Sequence, residues 1–148
     1  MVKHREVAKT WLYNTLTNDA TLVGATLLNG ARIYANQAPQ NAIYPLNVYK
    51  FVATRYSPLR RINSRILAES MLFDVMSCTK NTVTNLYEID SRIEELLDAQ
   101  PDPSNNGIVT GGQVIACTRE SDIDFVENDG GVDYHYTGGT YLIQAVLS

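Results

Sequence analysis

The sequence predicts an α+β fold in which an antiparallel sheet of four to five strands carries two helices packed on one face, in the order α-β-β-β-α-β-β. Three observations predict it. Residues 5–16 and 81–98 repeat their apolar residues at helical spacing. Residues 44–54, 65–76, 113–119 and 134–147 are rich in β-branched and aromatic residues and alternate as strands do. Glycine, proline and asparagine turn signals stand between these runs.

Taken in order, residues 5–16 place Val7, Ala8, Trp11, Leu12 and Leu16 on one stripe, an amphipathic first helix with Trp11 facing the core. Asn18-Asp19 opens a turn through Leu22 and Val23, Asn29-Gly30 punctuates the chain, residues 32–35 form a brief extended run and residues 36–43 a loop. The strand over 44–54 sets Leu46, Val48 and Val52 on one face and Tyr49, Phe51 and Ala53 on the other, with Pro45 at its start. Residues 65–76 follow with Leu67, Met71, Phe73 and Val75 pointing one way and Glu69 as the exception, so the two runs make a hairpin with a basic tip. The second helix spans 81–98, its stripe built from Val83, Leu86, Ile89, Ile93, Leu96 and Leu97, and Pro101 and Pro103 end it. Strands over 113–119 and 134–147 are joined by an acidic loop containing the turn signal Asp129-Gly130, and Gly138-Gly139 predicts a bulge in the last strand.

Length and composition set the class. A chain of 148 residues with 45% hydrophobic and 19% charged residues is one domain's worth, read here as a single domain over 1–148, and this composition excludes disordered, collagenous and disulfide-scaffold classes. No run of eighteen apolar residues and no signal-peptide block is present, which predicts a protein that stays in the cytoplasm where it is made, with no membrane partner. Cys78 and Cys117 lack metal spacing and are expected as free buried thiols. The net charge of −4 conceals a polarity: residues 1–65 carry nine Lys and Arg against Glu6 and Asp19, whereas residues 66–148 carry fourteen acids against Lys80, Arg92 and Arg119.

Two charged sets stand out. Arg55, Arg60, Arg61 and Arg65 gather at the hairpin tip with Tyr56 among them, and Glu120, Asp122, Asp124, Glu127 and Asp129 gather in the acidic loop. Aromatic residues interleaved with arginines can bind single-stranded nucleic acid, the basis of a sheet-based RNA-binding alternative, but the acidic second half opposes it. The basic tip can instead meet the acidic loop of a neighbouring copy head to tail, a heterologous contact that closes into a ring; in that reading the arginines are a subunit or partner interface and the acids face an interface or a lumen. The acidic run resembles a calcium loop only in density, because Val126 and Glu127 stand where the pattern needs Asp or Asn and then glycine. Asp133 and His135 share a strand face, and with Cys78, Cys117 or a serine they outline a hydrolase that no nucleophile motif supports. TGGQ and TGGT lack the lysine and spacing of phosphate loops, so no catalytic residue, metal or cofactor is expected.

RIYANQAPQNAIYPLNVYKFV, in which a short strand and a Pro-containing loop lead to Tyr44-Pro45 at the head of a long strand, resembles the tail terminator, or tail completion, proteins of long-tailed bacteriophages. The ending YHYTGGTYLIQAVL after an acidic helix is similar to theirs too, so the resemblance covers nearly the whole chain; the basic tip and the acidic loop lie outside it. The resemblance implies a virion protein assembled in the host cytoplasm into a hexameric ring. Such a ring caps the tail tube protein, ends its polymerisation and offers a docking surface to the head connector or stopper protein, while DNA passes through its lumen. A neck or head-completion protein of the same particle is the neighbouring alternative.

Overall fold

The computed structural model describes residues 3–55, 61–62, 65–66, 68–102 and 106–148, with only the backbone at 61–62 and 65–66. Ten elements follow one another: α1 (His4–Thr17), β1 (Ile33–Ala35), β2 (Leu46–Arg55), β3 (Arg61–Ile62), β4 (Arg65–Ile66), β5 (Ala68–Lys80), α2 (Leu86–Leu97), β6 (Ile108–Val109), β7 (Gly112–Asp129) and β8 (Val132–Leu147). Six strands form one sheet in the order β1-β2-β5-β8-β7-β6, and β3 pairs with β4 in a separate hairpin. The fold is mixed α+β, as the periodicities predict, but the sheet is larger than four to five strands. It is also not purely antiparallel, since β1 runs parallel to β2.

Both helices lie on one face of the sheet. Val7, Ala8, Trp11, Leu12 and Leu16 of α1 share a buried cluster with Ile89, Ile93 and Leu97 of α2 and with Met71, Phe73, Val75, Tyr141 and Ile143 of the central strands. Burying that apolar area is the main favourable term holding the layers together. At the start of α1 the Glu6 carboxylate accepts the Lys3 amide at 2.8 Å, which satisfies one of the donors that a helix start leaves open. The second helix begins at Leu86 rather than at 81. Asn81 and Asn85 both take positive φ, 62° and 64°, so the backbone between them turns and Val83 is left exposed. The opposite sheet face holds a smaller cluster of Leu46, Val48 and Cys78 under Tyr34, Tyr44, Tyr134 and Tyr136. Residues 44–54 are thus buried on both faces at their start, while Val52, grouped with Leu46 and Val48 by alternation, is exposed at a bulge between Phe51 and Ala53.

Two further expectations need correction. The acidic stretch is not a loop: β7 continues from Gly112 to Asp129 and pairs with β8 as far as Val132. The signal is present in Asp122-Ile123-Asp124-Phe125, an acid-apolar alternation of period two. Only Gly130 and Gly131, with φ of 62° and 84°, make the turn. Nor does Gly138-Gly139 bulge. β8 stays regular there, and the irregularities lie in β7, between Val114 and Ala116 and between Arg119 and Ser121. The glycines are required by close approach instead: a Cβ on Gly138 would overlap the Val75 carbonyl oxygen, and one on Gly139 would lie 2.6 Å from Arg119 Nε.

Candidate interaction surfaces

The basic set is only partly within view. Arg60 lies outside the described residues, and Arg61 and Arg65 are placed by backbone alone in the β3–β4 hairpin, where Arg61 pairs with Ile66 and Ile62 with Arg65. Arg55, the last residue of β2, is half exposed, and its Nη1 donates to Glu120 Oε1 at 3.2 Å. Strands β5 and β8 separate β2 from β7, so this contact closes only because the sheet curves around the face opposite the helices. One residue of each charged set therefore meets the other within the chain, at the exposed rim where such a pair contributes little stability.

The acidic set is distributed over an edge strand. Beyond β6, which pairs with Gly112 and Gln113, the outer side of β7 is held by a bridge from Gln100 to Cys117 and by Asp98, whose carboxylate accepts the Arg119 amide at 2.8 Å. From Glu120 to Asp129 no strand pairs with that side among the described residues. Asp122 sits 2.9 Å from Arg119 Nε, and Asp124, Glu127 and Asp129 are exposed. Cross-strand pairing sorts them by face. Asp122 and Asp124 oppose Gly139 and Thr137 on the helix side, and Ile123, Phe125 and Glu127 oppose Gly138, Tyr136 and Tyr134 on the other, where Phe125 stacks on Tyr136 with centroids 4.7 Å apart. Spread over two faces of an extended strand, the carboxylates do not converge as calcium ligands must, and the described residues contain no group of three His, Cys, Asp or Glu that could hold a metal ion.

Arg119 is the charged residue that sequence reasoning missed. Its side chain is nearly buried and makes a two-pronged contact with Asp90 of α2 at 3.0 and 3.1 Å, while also donating to the Tyr141 hydroxyl and the Gly138 carbonyl oxygen. Burial works against its charge, but the hydrogen bonds it donates to Asp90 and Tyr141 outweigh it and hold its pKa above the ordinary arginine value. The available signal was Arg119, the single base of a strand that is otherwise acidic, with a glycine at 139 leaving room.

The outlined hydrolase set does not come together. Asp133 accepts Asn128 Nδ2 at 2.7 Å, and its backbone amide donates to the Asn81 side chain. His135 opposes Val126 and Thr79 on the helix side of the sheet. Cys78 faces the other way into the tyrosine cluster, and Cys117 lies in the core beneath the helices, so both thiols are free and buried, as expected. Burial pushes Cys78 up to about 11 and raises Cys117 as well, which leaves neither as a thiolate at neutral pH.

The chain shares its fold with a chain of a solved virion, that of a native gene transfer agent particle. The TM-score is 0.61 at 9% identity, and the match covers 99% of this chain and 98% of that one. At this identity the likeness establishes a common fold and not common residues. No family model and no curated protein matches the chain.

Proposed function

We propose that the chain is a non-enzymatic structural subunit of a phage-like virion, a tail terminator that assembles into a ring. The ring caps the tail tube protein, ends its polymerisation and presents a docking surface to the head connector, and DNA threads the opening. The observation that carries this reading is the full-length likeness to a chain of a gene transfer agent virion. The charge layout supports it. β2 and β5 are joined at the basic end of the strands, and β7 and β8 turn at the opposite, acidic end, so one molecule presents unlike charges at its two ends. Such a body stacks head to tail. Carboxylates on an arm bordering a channel would also repel the phosphate backbone and let DNA slide, whereas a basic lining would hold it.

Imaging particles with and without the chain tests this. The expected result is a ring at the head-proximal end of the tail, and, when the chain is deleted, tubes of uncontrolled length that do not join heads. Normal tails joined to heads without the chain would overturn the proposal. At the residue level, reversing Arg60 and Arg61 together weakens assembly, and reversing Asp122 and Asp124 in the same chain partly restores it.

A further inference from the structure

The sheet ends in two open edges of opposite character. On one side, β1 covers β2 only at Asn47 to Tyr49, so Lys50 to Arg55 have no outer strand among the described residues. On the other, β7 is open from Glu120 to Asp129. Each open stretch displays apolar side chains beside its charges: Val52 is 48% exposed on β2, and Phe125 and Val126 are 43% and 56% exposed on β7. A long open edge is a template for another strand, and proteins normally blunt it with charge. Here the charge is of one sign. Four carboxylates, Asp122, Asp124, Glu127 and Asp129, oppose pairing of this edge with itself and admit a basic strand.

The chain supplies such a strand. We infer that β7 of one copy pairs with the Lys50 to Arg55 stretch of β2 in the next copy, extending the sheet from molecule to molecule. Direction permits it. β2 to β5, β5 to β8 and β8 to β7 are all antiparallel steps, so β2 and β7 run oppositely, and a copy laid edge to edge with its sheet facing the same way makes one more antiparallel step. Register follows from the ladders. Lys50 stands level with Ser121 through Asp74 and Thr140, and Asp129 lies eight positions further along β7. Unshifted, the open stretches barely overlap, because Arg55 then stands level with Ala116, beside the Gln100 bridge to Cys117. Displacing the neighbour by those eight positions, about 27 Å at the rise of a strand, sets its Lys50 opposite Asp129, clear of the neighbour's own β1, and lays its basic end along the acidic arm. Asp129 shares a strand face with Glu127, which lies with Lys50 on the face of the tyrosine cluster. The contact is heterologous, so it closes into a ring or runs on as a filament depending on the angle between neighbours. Only the closed form rests on the terminator reading.

Full-length variants test it. Lys50→Cys in one preparation and Asp129→Cys in another, mixed and oxidised, are expected to give a disulfide-linked dimer that neither preparation gives alone; Cys78 and Cys117 are buried and do not compete. Lys50→Glu and Asp129→Lys, each at an exposed site, should each weaken self-association at least tenfold, and the double variant should recover most of it. On association, amide exchange over 120–129 should slow at least tenfold. Unlinked mixtures, unchanged association in both single variants, absence of any self-association at millimolar chain, or unprotected amides in an assembled ring would each overturn the pairing. The two readings fail separately: a particle ring with freely exchanging 120–129 amides leaves the terminator role standing, whereas edge-paired filaments absent from tails leave the pairing standing.

Discussion

Arg119 shows how one side chain can organise a sheet and a helix. Its guanidinium is held by Asp90 of α2, the Tyr141 hydroxyl and the Gly138 carbonyl oxygen, and it occupies the space that a side chain on Gly139 would need. A buried cation is tolerable only with its partners in place, and losing one of them leaves an uncompensated charge. Gly139→Ala forces the guanidinium away from Asp90 and should cost about 2–4 kcal/mol in urea unfolding. The same change in an Arg119→Met background should cost clearly less, because the main obstacle is gone. An equal cost in both backgrounds would show that the Ser121 carbonyl oxygen, 2.9 Å from the same position, is the true constraint.

At the scale of elements, an ion pair ties the turn after α1 to α2. Asp19 accepts Arg92 Nη2 at 2.6 Å and Nε at 2.9 Å, and also the Leu22 amide at 2.8 Å. The Arg92 hydrogen bond, against a smaller opposing effect of burial, holds the Asp19 carboxyl below the usual carboxylate value. A carboxyl lowered on folding contributes stability that is complete above its unfolded pKa, near about 4, and is lost as pH falls through the folded value. Asp19→Asn should therefore destabilise by about 1–3 kcal/mol at pH 7, with the gap to the unmodified chain narrowing below about pH 4. Thermal unfolding followed from pH 7 to pH 3 checks this, and a gap that does not change with pH would assign the effect to the neutral hydrogen bonds alone. The helices themselves were legible because their stripes repeat over three turns. The start of α2 was not, since the left-handed turns at Asn81 and Asn85 leave no mark on the apolar pattern.

For the whole molecule the central property is polarity along the strands, with a basic connection at one end and an acidic hairpin at the other. If unlike ends attract across copies, self-association should weaken at least about fivefold between roughly 50 and 500 mM NaCl, as the Debye length shortens. Sedimentation of the purified chain measures this, and association that strengthens with salt would mean that repulsion from the net charge of −4 dominates. The sequence by itself determined the α+β class, both helices, the β2–β5 hairpin, the Asp129-Gly130 turn, the buried free thiols and the charge polarity, because each of these is written in local period, turn chemistry or composition. Only the tertiary structure decided that the acidic stretch is an open edge strand, that β1 joins the sheet in parallel, that Gly138 and Gly139 serve close packing, and that Arg119 is the buried charged centre. Those features depend on which strands become neighbours and what approaches from the next layer, and such contacts join residues far apart in the chain.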